Sequence, residues 1–140
     1  MKSAHALAAA AGLVLSLAAG PVRAASDWQA VPGAPDLQVD LATMQARGAS
    51  VELWVRGLAL KTVARMDASV PVTAKWHRTM ARLQMDCRTR VGQGHGVLGY
   101  DSRGRLVHAS SVPSPRFALP AEGELAAVYD AACELARSQA

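Results

Sequence analysis

The chain has 140 residues, is 51% hydrophobic but only 4% aromatic, and carries a formal net charge of +4. That length supports one small core and excludes two domains of ordinary size. Lys2 and Arg23 fall within the first 24 residues, so residues 25–140 hold 13 basic against 11 acidic side chains, a net of +2 too weak to argue for nucleic acid.

Residues 1–24 have the pattern of an export signal. Lys2 precedes a run of small and apolar residues over 6–19, interrupted only by Gly12 and Ser16, and Pro21-Val22-Arg23-Ala24 offers a small-residue cleavage site. The run is too short to span a bilayer. Cleavage is expected after Ala24, leaving a domain over 25–140 with no membrane span. No cysteine stands at or just after that point to take a lipid, so the expected product is exported, periplasmic or extracellular, and not a lipoprotein.

Next, Leu37-Gln38-Val39-Asp40-Leu41 alternates apolar and polar, and so does 50–56, where Val51, Leu53 and Val55 oppose Glu52, Trp54 and Arg56. Period two is the mark of strands buried on one face, and Arg47-Gly48-Ala49 supplies a turn, so the two segments are predicted to be antiparallel neighbours. Over 60–72 the period is lost, which predicts a loop or a broken edge. Residues 79–91 fit a strand whose apolar face carries Ala81, Leu83, Met85, Cys87 and Val91 and whose other face carries Arg78, Arg82, Arg88 and Arg90. Gly92-Gln93-Gly94-His95-Gly96 reads as a flexible turn. Segments 97–100 and 106–110 flank Asp101-Ser102-Arg103-Gly104, an Asp-led turn closing on Gly, and predict a hairpin. Pro113, Pro115 and Pro120 interrupt pairing. Beyond them Leu125, Val128, Tyr129, Ala132, Cys133, Leu135 and Ala136 recur at helical spacing, with Pro120, Glu122 and Glu124 suited to an early turn.

The expected fold is therefore α+β, an antiparallel sheet with an amphipathic C-terminal helix on one face. Cys87 lies on the apolar face of a strand and Cys133 on the apolar stripe of the helix. In an oxidising compartment an even count of two makes their pairing the default, against free buried thiols or an intermolecular bridge. A redox pair has no Cys-x-x-Cys spacing to support it.

This succession resembles the surface-adhesin protein E-like family of small exported bacterial proteins. The matching features are Leu37-Gln38-Val39-Asp40 leading to Met44, the strand with Leu53-Trp54-Val55, Asp86-Cys87 closing a basic strand, the hairpin from Gly99-Tyr100-Asp101 to Gly104, and a helix ending around Cys133. The resemblance implies a sheet of about six strands with the helix tethered across one face by a disulfide. It also implies adhesion to a host matrix or serum protein such as vitronectin. The basic strand that engages vitronectin in the namesake corresponds here to Lys75-Trp76-His77-Arg78 through Arg82 to Arg90. The namesake is a lipoprotein, and this chain departs from it there.

The candidate partner-binding residues are thus Lys75, Arg78, Arg82, Arg88 and Arg90, set against the bland reading that Arg and Lys merely solvate a sheet face and discourage edge pairing. Trp54 is either a binding aromatic or covered by a loop. His77, His95 and His108 have no metal-pair spacing, so neither metal nor haem is expected. Ser114 lies in no nucleophile elbow, and no enzyme signature is present. The expectation is a non-catalytic exported binding domain, possible as a homodimer. Its alternative is a periplasmic structural or accessory protein without adhesive activity.

Overall fold

The computed structural model describes residues 25–71 and 73–139. The predicted export signal lies outside the described residues. Eight antiparallel strands, β1 (Trp28–Val31), β2 (Ala34–Asp40), β3 (Gln45–Arg47), β4 (Ser50–Arg56), β5 (Arg78–Asp86), β6 (Val91–Tyr100), β7 (Leu106–Ser110) and β8 (Phe117–Ala118), form one sheet ordered β1-β2-β4-β5-β6-β7. β3 extends the ladder beside β4, and β8 extends it beside β6. Among the described residues two α-helices, α1 (Leu60–Met66) and α2 (Glu124–Ser138), and a short 3-10 helix (Leu41–Thr43) complete the α+β fold.

Alternation places Val51, Leu53 and Val55 of β4 and Ala81, Leu83 and Met85 of β5 on one face, in register with one another and almost fully buried. The α2 stripe of Leu125, Val128, Tyr129, Ala132 and Cys133 closes over them. α1 covers the same face through Val63 and Met66. The two helices meet end to end, where the Glu124 carboxylate accepts from the Ala59 amide at 3.0 Å and the Thr62 hydroxyl at 3.0 Å. Those donors open α1, whose own start offers no capping side chain, so a residue far along the chain supplies the cap.

Cys87 and Cys133 form a disulfide, with Cα atoms 5.7 Å apart. Tyr129 ties the same corner by donating its hydroxyl to the Cys87 carbonyl at 2.8 Å. Among the described residues no helix is long and apolar enough to cross a membrane.

Four expectations are corrected. The aperiodic stretch after Leu60 is not all loop, because residues 60–66 make the two turns of α1. Strand β5 stops at Asp86 rather than continuing to Val91: its carboxylate accepts the Arg88 and Thr89 amides at 2.8 and 3.0 Å, and Arg90 takes a φ of 56°, which turns the chain back. Cys87 is therefore in the turn, where its amide still donates to the Ala49 carbonyl at 2.8 Å. The glycines at 92, 94 and 96 lie inside β6, not in a flexible turn. A Cβ on Gly92 would come within 3.1–3.2 Å of Phe117 and Leu119, so missing side chains there make room for residues arriving from β8 and beyond. Finally, α2 begins at Glu124, with Pro120 in the approach to it.

Candidate protein-binding face

Because both α-helices cover one face, the other is left open among the described residues. It carries Gln38 of β2, Glu52, Trp54 and Arg56 of β4, Arg78, Met80, Arg82 and Gln84 of β5, and Leu98 and Tyr100 of β6. Cross-strand register sets the rows: Arg56 with Met80 and Leu98, Trp54 with Arg82 and Gly96, and Arg78 with Tyr100. Trp54 is half-buried on this face, and its indole reaches across β5 to within 3.8 Å of where a Cβ on Gly96 would be. Aromatic and arginine side chains interleaved on an uncovered sheet are the composition that concentrates binding energy in protein interfaces.

The five predicted cations do not lie together on one face. Arg78 and Arg82 project from the open face, and Lys75 is exposed in the segment leading into β5. Arg82 is paired with Glu52, and with 46% and 28% of the two side chains exposed the pair contributes only about 0–1 kcal/mol. Arg88 is exposed in the turn beyond the other end of β5, roughly 30 Å from Arg78 along the strand. Arg90 faces the helix corner instead. Its guanidinium donates to the Pro120 carbonyl at 3.0 Å and lies 4.3 Å over the Tyr129 ring, so it packs the disulfide corner. The strand reading put Arg88 and Arg90 on the arginine face; the turn at 87–90 removes both.

Positive charge gathers instead at the end of the sheet where β4 leaves and β5 enters. Arg56, absent from the predicted set, is fixed there, with Nε donating to Gln38 Oε1 and its guanidinium 4.3 Å over Trp28. The signal that could have found it is Trp28, whose four-residue strand is too short to show a period. Arg56 and Arg78 line a cleft of about 480 Å³ with Asp36, Gln38, Trp76 and His77. Its walls are held by bonds to backbone carbonyls: the Gly57 amide donates to the Thr79 carbonyl at 3.2 Å, the Thr79 hydroxyl to the Leu58 carbonyl at 2.6 Å, and the His77 amide to the Tyr100 carbonyl at 2.8 Å. Gly57 has φ of 96°, and a Cβ there would meet the Asp36 carbonyl oxygen at 2.3 Å, so this close approach needs glycine.

Trp76 anchors the segment on the covered side. Its indole lies against the bare backbone of Gly99 and stacks on His108 with ring centroids 4.9 Å apart. Behind the stack, His108 Nε2 is 3.8 Å from the buried Asp67 Oδ2. Burial opposes charge on Asp67, but the Ser69 hydroxyl and amide, aided by Ser110 and His108, hold its carboxyl below the ordinary value. The other two predicted histidines are apart from this group, His95 bonded to Gln84 at 2.6 Å and His77 exposed at the cleft. Ser114 is buried as a backbone bridge, accepting from the Gly94 amide at 2.8 Å and donating to the Pro115 carbonyl. Among the described residues no three His, Cys, Asp or Glu side chains converge as metal ligands.

No family model, curated protein or solved structure matches the chain.

Proposed function

We propose that this chain is an exported, non-catalytic domain of the surface-adhesin protein E-like kind, which binds an acidic protein partner through the open face of its sheet. The observation carrying this reading is the division of the sheet. Both α-helices and the disulfide occupy one face, while the other presents Trp54, Tyr100, Arg56, Arg78 and Arg82 with neither α1 nor α2 over it. The disulfide supports an oxidising compartment, and the N-terminal pattern supports export to one. The resemblance supplies the partner class, a host matrix or serum protein.

A second reading, a periplasmic accessory protein that contacts an envelope partner through the same face, is favoured by one observation. Both cysteines of the chain are used in the disulfide, leaving neither for the lipid that displays the namesake. Protease treatment of intact cells, with vitronectin binding measured before and after, separates the two. Loss of the protein together with vitronectin binding supports the adhesin. Survival of the protein, with no vitronectin bound, contradicts it and favours the periplasmic reading.

A further inference from the structure

The cleft between Arg56 and Arg78 has the features of a built anion site. The two residues are diagonal neighbours on one face, since Arg56 is in register with Met80 and Arg78 is two residues along β5, a separation of about 7–8 Å between Cα atoms. The Arg56 guanidinium leans toward β2 and β1, and both arginine side chains line the one cleft, so a small planar group bound in it can meet both. Among the described residues, no carboxylate lies within 4.0 Å of either guanidinium. Arg56 is also preorganised. Gln38 occupies its Nε and Trp28 supports its plane, which leaves both Nη groups without a protein partner among the described residues. Holding a donor fork in place beforehand removes much of the ordering cost of binding.

We infer that this cleft binds a carboxylate, the acidic side chain of a protein partner or a small free acid, clamped between Arg56 and Arg78. This deepens the proposed reading of the open face and rests on it for the partner. Charge sets the sign of the ligand: the two arginines outweigh Asp36 in the lining, 2 − 1 = +1, which favours an anion. Arginine forks also match carboxylate geometry in bidentate fashion.

The test follows the arginine Nε–H signals of the intact, oxidised protein by NMR at constant ionic strength. The probes are glutarate, a capped peptide with one Glu, its Gln counterpart, glutaramide and inorganic phosphate. Glutarate should shift Arg56 and Arg78 while glutaramide does not. A shift by the Glu peptide but not the Gln peptide identifies a partner's side chain as the source, and a response to glutarate alone identifies a free acid. Arg78→Gln, and Arg56→Lys, which keeps charge but loses the fork, should each weaken binding about tenfold, with Arg88→Gln unchanged. Tighter binding of phosphate, equal effects of chloride and glutarate, or equal losses in Arg78→Gln and Arg88→Gln would overturn the inference. If carboxylates fail here while Arg82→Glu, outside the cleft, still weakens partner binding, the cleft is wrong and the open face stands.

Discussion

Gly99 shows how a single residue sets the position of the segment leading into β5. A Cβ there would lie 2.4 Å from the Trp76 indole, and that ring's stack on His108 anchors the segment that carries Lys75, His77 and Arg78. Gly99→Ala should cost about 1–3 kcal/mol and expel Trp76, read as a lower melting temperature and red-shifted tryptophan emission. Unchanged emission would show that the ring does not depend on this contact. Asp67, beneath the same stack, contributes in a pH-dependent way. Its native pKa is depressed, so its stabilisation is complete above the unfolded-state value and disappears as pH falls through the native one. The stability gap between wild type and Asp67→Asn should therefore narrow on acidification, and a gap that stays constant through the carboxylate range would contradict this assignment.

At the scale of elements, what was legible depended on whether the cause was local. The alternation of 50–56 and the turn at 101–104 are written in adjacent residues, and both stand where expected: the Asp101 carboxylate accepts the Arg103 and Arg105 amides at 2.9 Å, and Gly104 has a φ of 77°. α1 was not legible because seven residues show too little periodicity and its cap is Glu124, 65 residues from Ala59. The glycines of β6 imitated a turn because their strand context is created by Phe117, Leu119 and Met66, which arrive from other elements. Arg56 was missed for the same reason, since its partners Gln38 and Trp28 are on other strands. Glu124→Ala tests the long-range cap. It should destabilise the domain by about 1 kcal/mol and speed amide exchange over 59–63, whereas exchange accelerated evenly across the sheet would argue against a cap specific to α1.

For the whole molecule, the disulfide and the two faces form one design. The bridge between Cys87 and Cys133 closes a separation of 46 residues and ties α2 to the covered face. In the chain-entropy model, closing such a loop stabilises the fold by about 4 kcal/mol, a large fraction of what a small domain has. The Cys87→Ser/Cys133→Ser double variant should therefore melt well below wild type, and an equal melting temperature would show that packing alone retains the helix. With that face closed, the open face is the one the proposed partner would meet. The most direct test is binding of poly-glutamate at a series of salt concentrations to wild type, Arg78→Glu/Arg82→Glu and Arg88→Glu/Arg137→Glu, two variants with equal change in net charge. An open-face site predicts that the first variant loses about tenfold or more in affinity, the second little, and wild-type binding weakens with salt. Equal losses in both variants would mean that net charge alone attracts the polymer, and the open face would not be the binding site.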